Sequence, residues 1–139
     1  MIRPGERVFV DTGAWIALAE TKDPFHQRAV VQWEALVRAG ARISTSVPVI
    51  LETFTFLDRR GSRELALRWQ ASLATIKELQ IIECSLADIH EAWGYLERKE
   101  FHKLSLVDAT SFVLMRRYAI RVAFAFDTHF AVAGFRLPD

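Results

Sequence analysis

Val8-Phe9-Val10-Asp11-Thr12-Gly13-Ala14-Trp15-Ile16-Ala17-Leu18 decides how the rest of this chain is read. Three apolar residues suited to a buried strand run into a carboxylate and then Thr-Gly, after which Ala14, Trp15 and Leu18 open a helical pattern. Asp11 therefore stands at the carboxyl end of a strand. In open sheets with parallel strands that edge is where ligands bind, because loops converge there and helix N-termini point at it.

Outward from this stretch the chain alternates. The first strand covers residues 7–10 and a short helix follows to about residue 19. Asp23-Pro24 opens a second helix, with Ala29, Val30, Trp33, Leu36 and Val37 at helical spacing until Gly40. Residues 43–45 read as a second strand. Pro48 starts a third helix carrying Ile50, Leu51, Phe54 and Leu57, and Ser62 caps a fourth with Leu65, Leu67, Trp69, Leu73 and Ile76. A third strand spans 79–82, a fifth helix 85–98, a sixth helix 105–118 and a last strand 122–126. The sixth is apolar nearly all round, which predicts burial. Alternation of this kind predicts an α/β fold with a mostly parallel central sheet of four to five strands flanked by helices. No linker, low-complexity tract or internal period interrupts it, so one domain over 1–139 is expected.

Composition sets bounds. The chain has 139 residues, 51% of them hydrophobic and 25% charged, enough for a real core. The formal net charge of +1 permits a phosphate-rich partner without demanding one. The single Cys84 excludes an internal disulfide and any multi-cysteine zinc site, which suits a reducing compartment. Charges break every apolar run short of a membrane span, and Asp11 arrives before a signal-peptide core could form, so a cytoplasmic protein with no membrane contact is expected.

Chain direction then gathers the acids. With parallel strands, the helix after the second strand begins at the same edge as Asp11, and Glu52 lies early in it. The sixth helix must run down so that the last strand can run up, which brings Asp108 in its first turn to that edge. Asp127 follows the last strand directly. Each also has a plain structural reading: Asp11 as a helix cap, Glu52 as a solvated helix residue, Asp108 in a capping box with Ser105, Asp127 at a turn. Asp88 serves as the control, since Ser85-Leu86-Ala87-Asp88 repeats the grammar of Ser105-Leu106-Val107-Asp108. Periodicity puts Asp88 on a face with Glu91 and Tyr95 but Asp108 on a dry face with Phe112 and Met115, so Asp108 is expected in the site and Asp88 outside it.

Four crowded carboxylates repel unless protons or cations intervene. One or two Mg²⁺ or Mn²⁺ ions, which prefer oxygen ligands, would balance the charge. The chemistry such sites serve best is hydrolysis of a phosphodiester. The four histidines, His26, His90, His102 and His129, show no metal-ligand spacing, and His129 is the one expected nearest the acids.

Phe9-Val10-Asp11-Thr12, the run Ser46 to Glu52, Leu104-Ser105-Leu106-Val107-Asp108-Ala109 and Phe124-Ala125-Phe126-Asp127-Thr128-His129-Phe130 resemble, in order, the four acidic motifs of the PIN-domain ribonucleases. Within that family the chain is most similar to the VapC toxins of VapBC toxin-antitoxin pairs. The resemblance implies a PIN-like fold and a Mg²⁺- or Mn²⁺-dependent endoribonuclease with Asp11, Glu52, Asp108 and Asp127 as catalytic metal ligands. It further implies a homodimer held inactive by a VapB-type antitoxin. A non-toxin RNA-processing nuclease, or a module that binds RNA or protein without cutting, remains the alternative. Thr12 is expected to support the ligands through its hydroxyl. For the RNA, Lys99, His102 and Lys103 precede the helix bearing Asp108 and are the first candidates for phosphate contact. Arg59, Arg60 and Arg63 are the second, and His129 a further one. Trp15, Phe25 and Trp93 are the candidates for an exposed groove that takes an antitoxin helix or a second subunit.

Overall fold

The computed structural model describes residues 2–138. Strands β1 (Arg7–Val10), β2 (Arg42–Ser46), β3 (Gln80–Ile82) and β4 (Val122–Phe124) form one sheet in the order β3-β2-β1-β4, every pairing parallel. This is the expected α/β architecture with four strands. A lone parallel bridge between Val122 and Arg136 adds the rudiment of a fifth. β1 lies between β2 and β4, with Phe9 opposite Ser44 on one side and Ala123 on the other. Val8, Phe9 and Val10 are wholly buried, as a strand covered on both faces requires.

The helices are α1 (Thr12–Ala19), α2 (His26–Arg38), α3 (Val47–Phe56), α4 (Arg63–Ser72), α5 (Leu86–Leu96), α6 (Leu106–Arg117) and α7 (His129–Val132). Helix α6 buries every residue from Asp108 to Met115, matching its all-round apolar pattern. Phe112 is its centre: Phe101, Phe130 and Phe135 all pack on that ring, with centroids 4.9 to 5.7 Å away. Helix α3 passes into a π-helical turn at Leu57–Gly61, which Arg63 holds by a forked pair of hydrogen bonds to Asp58 at 2.5 and 3.0 Å.

Four details depart from expectation. Strand β4 ends at Phe124 rather than 126, because Ala125 to Asp127 leave the sheet for the rim. Helix α2 starts at His26, two residues after Pro24, since Asp23 Oδ1 accepts from Phe25 N–H and builds a turn first. Val37, Leu51 and Leu67, placed on apolar faces by periodicity, are at least half exposed. Trp15 is no groove residue: it is 3% exposed, packed between Trp33 and Trp69 with centroids 5.9 Å away on each side.

Burying Trp15 requires a partner for its indole N–H, and β2 supplies one. Trp15 Nε1 donates to Thr45 Oγ1 at 3.1 Å, and that hydroxyl donates to the Val10 carbonyl at 3.0 Å. Thr45 is fully buried, so its hydroxyl ties α1 to the end of β1 just before Asp11. Thr45→Val keeps the shape but strands a buried indole donor and a carbonyl. Chemical denaturation should show a loss of about 1–2 kcal/mol; an unchanged midpoint would mean that water reaches both groups.

Candidate active site

All four acids are placed by how their segments begin or end. The Asp11 N–H donates to the Phe124 carbonyl at 3.0 Å, carrying the β1–β4 ladder one residue past the strands. Its own carbonyl accepts from the Ala14 and Trp15 amides at 3.1 Å each and so starts α1. The side chain makes no capping bond. It is 3% exposed and its Oδ1 is buried without a hydrogen-bond partner. The cap reading therefore fails for Asp11, and an unsatisfied buried carboxylate oxygen is costly unless a ligand meets it.

Glu52 lies in the second turn of α3, half-buried. That helix is begun by Ser46 Oγ, which accepts from Val49 N–H at 3.3 Å, and by Pro48 in its first turn. Asp108 stands in the first turn of α6, where its N–H donates to Ser105 Oγ at 3.0 Å. Asp127 is half-buried, 38% exposed at its side chain. Its Oδ1 accepts from the His129 N–H at 2.8 Å, which starts α7, and His129 Nδ1 lies 2.8 Å from the same oxygen.

Electrostatics link the four into a row. Burial, with the charge of Glu52 added, pushes the Asp11 carboxyl up to about 6 against the opposing pull of the Thr12 and Gly13 amides. Burial and then the charges of Asp11 and Asp127 push Asp108 up to about 9. Asp108 therefore holds a proton at neutral pH while nothing positive lies among the carboxylates. Among the described residues, no three Asp, Glu, His or Cys side chains close round one point tightly enough to hold an ion as they stand. The row is thus an open rim rather than a finished cage. An all-oxygen donor set, excess negative charge and an orphaned Asp11 oxygen fit hard divalent cations.

Thr12 is 6% exposed and its hydroxyl has no partner. Thr53, wholly buried on the neighbouring α3, is in the same position. Nothing but its place after Glu52 could have singled out Thr53 beforehand.

The basic candidates separate. Lys99, His102 and Lys103 line one groove with Arg98, Leu96, Phe101 and Leu104, and none of the four acids shares it. Lys103 holds a left-handed φ of 67° there, so its backbone serves the turn into α6. Arg59 and Arg60 line a different groove together with Glu52, Leu51, Phe56 and Val107. Arg63 is committed to Asp58. The pair ranked second from sequence is thus the one that shares a groove with an acid, because the π-helical turn continues α3 and carries Arg59 and Arg60 along the face that bears Glu52 and Phe56.

Asp88 needs a correction. It is not on a wet face: it is 2% exposed, completes a reciprocal capping box with Ser85 and forms an ion pair with Arg117 of α6. Asp108 lacks the reciprocal half of that box, which leaves its carboxylate facing Asp11 and Asp127. Equal local grammar thus yields one carboxylate paired with a guanidinium and one set among other carboxylates.

Known proteins bear on this arrangement. The PIN domain profile matches residues 8–136. The 23S rRNA-specific endonuclease VapC20 of Mycobacterium tuberculosis, from two strains, is 36% identical over 129 residues, covering 92% of this chain and 95% of the relative. The crystal structure of Mycobacterium tuberculosis VapC20, described as a toxin that cleaves the sarcin-ricin loop, superposes with a TM-score of 0.81 at 34% identity over 92% of this chain and 95% of that one. A chain in VapBC2 from Rickettsia felis, bound to a promoter DNA fragment, shares the fold alone, with a TM-score of 0.66 at 15% identity over 94% and 96%. A profile match over nearly the whole length, on the segments that carry the four acids, means that the chain belongs to the PIN domain family.

Proposed function

We propose that this protein is a divalent-metal-dependent endoribonuclease and the toxin half of a VapBC pair. The observation that carries the reading is the row Glu52, Asp11, Asp108, Asp127, drawn from four separate segments to one sheet edge at an electrostatic cost that only protons or cations relieve. In this reading those carboxylates hold one or two Mg²⁺ or Mn²⁺ ions, which when bound supply Lewis-acid charge for phosphodiester hydrolysis. Buried Asp11 and Asp108 set the position, the backbone amides of Thr12 and Gly13 steady Asp11, and the more open Glu52 and Asp127 face the substrate. Arg59 and Arg60, sharing a groove with Glu52, offset the negative rim and guide the RNA backbone. The similarity to VapC20 favours ribosomal RNA as substrate, at an exposed loop of the kind that relative cuts. The likeness to chains of VapBC complexes goes with a VapB-type antitoxin as partner, and the reading takes a homodimer as the working form and the cytoplasm as its place.

The test is cleavage of a sarcin-ricin stem-loop RNA by the purified chain, with the cut ends sequenced. Cutting should require added Mg²⁺ or Mn²⁺ and stop with excess EDTA. Cleavage that survives EDTA, or no cleavage of this or total ribosomal RNA with either metal, defeats the reading.

A further inference from the structure

Phe25 precedes α2 and is 42% exposed, yet its backbone is hydrogen-bonded through both its N–H and its carbonyl. Asp23 Oδ1 accepts its N–H at 2.8 Å, its carbonyl accepts the Ala29 N–H at 2.8 Å, and the His26 N–H donates to the Asp23 carbonyl at 3.0 Å. His26 Nδ1 adds a contact of 2.7 Å with the Ala17 carbonyl, fastening the turn to α1. The chain thus fixes a large apolar ring where water reaches it.

That ring is not tucked into the core. It lies flat on Phe126, with centroids 4.6 Å apart and planes 4° from parallel. Phe126 rests edge-on against buried Phe124 of β4 at 5.9 Å, and the Arg28 guanidinium sits 5.5 Å from its centroid. Phe126 is bonded directly to Asp127. The result is a column of rings rising from the sheet beside one end of the acidic row, with Phe25 as its open top and a cation at its side.

Resting on the nuclease reading above, we propose that Phe25, backed by Phe126 and Arg28, is a stacking platform for one unpaired base of the RNA next to the cut phosphate. Bases splayed out of loops are held by aromatic faces and guanidinium planes, and each offers a flat π-face that a parallel ring pair extends. A preset ring also spares the ordering entropy that a flexible side chain would lose on binding. Continuity with Asp127 favours a nucleotide over a protein helix as the occupant, because whatever lies on Phe25 adjoins the acid row.

The experiment compares Phe25→Leu and Phe25→Trp with the unaltered chain on the stem-loop RNA, with 2-aminopurine beside the cut. Phe25→Leu should raise KM about tenfold with kcat nearly unchanged and abolish the quenching of 2-aminopurine, whereas Phe25→Trp should preserve both. Unaltered KM and quenching in Phe25→Leu would overturn the platform while the nuclease reading stands. So would equal failure of both variants, which would make the ring a strut of the loop. Retained RNA kinetics with lost hold on a co-expressed antitoxin would assign the ring to protein binding and overturn it too. RNA left uncut by the unaltered chain defeats the nuclease reading first, and the platform with it.

Discussion

Asp108→Asn should lower RNA cleavage by about a thousandfold while raising the melting temperature of the metal-free protein. A metal site contributes several kcal/mol of charge stabilisation to phosphodiester hydrolysis, and each 1.4 kcal/mol is roughly tenfold in rate. The stability gain follows from the proton. An unfolded Asp108 gives it up near 3.8, but the folded chain keeps it up to about 9 because burial and the Asp11 and Asp127 charges oppose ionisation. Between those limits the folded state binds a proton that the unfolded state has released, so the contribution is full below 3.8 and is lost as pH rises towards 9. Asn cannot ionise. Melts of the two proteins in EDTA should therefore lie close at low pH and diverge as pH rises, the variant being the more stable. Added Mg²⁺ should raise the melting temperature of the unaltered chain more than that of the variant. Equal cleavage by both proteins, or divergence in the opposite direction, would remove Asp108 from the site.

The acids were legible because the fold leaves few places for them. A carboxylate directly after an apolar run, as at Asp11, sits at a strand's end whatever the loop does, and Asp127, three residues past β4, stays close enough to act on Asp108. A parallel sheet then forces the helices bearing Glu52 and Asp108 to begin at the same edge. None of this needs side-chain detail. The features that escaped notice depend on partners distant in sequence. Trp15 looked available for a groove, but its burial rests on Thr45, thirty residues on, and on Trp33 and Trp69. Helix α7 has four residues, too few to show a period, although Asp127-Thr128 is a fair start signal for it. That Arg59 and Arg60 share a groove with Glu52 rests on the helix continuing past Phe56 as a π turn, where Arg-Arg-Gly reads as a helix end.

Asp88→Ala should destabilise the protein by roughly 3 kcal/mol and leave metal-dependent cleavage by the folded fraction unchanged. The loss combines one half of a capping box, about 1 kcal/mol, with an ion pair buried on the Asp88 side only, which adds about 2 kcal/mol, less than a fully buried pair would. Arg117 is nearly half exposed and has Glu91 3.7 Å away, so it can rehydrate once Asp88 is gone, which keeps the cost from rising further. The pH dependence has the opposite sign to that of Asp108. Burial alone would raise the Asp88 carboxyl, but the Ser85 amide and the Arg117 guanidinium outweigh it and hold the carboxyl below its ordinary 3.8. Its contribution is therefore present above 3.8 and lost as pH falls below that value. Asp88→Ala should thus melt well below the unaltered chain at neutral pH and approach it in acid, while Asp108→Asn melts above it at neutral pH in EDTA. Two aspartates with the same Ser-Leu-x-Asp setting would then move stability in opposite directions. The cause is the neighbour each meets across the fold: a guanidinium for Asp88, two more carboxylates for Asp108. Shifts of the same sign for both variants would show that local capping, which they share, outweighs those neighbours.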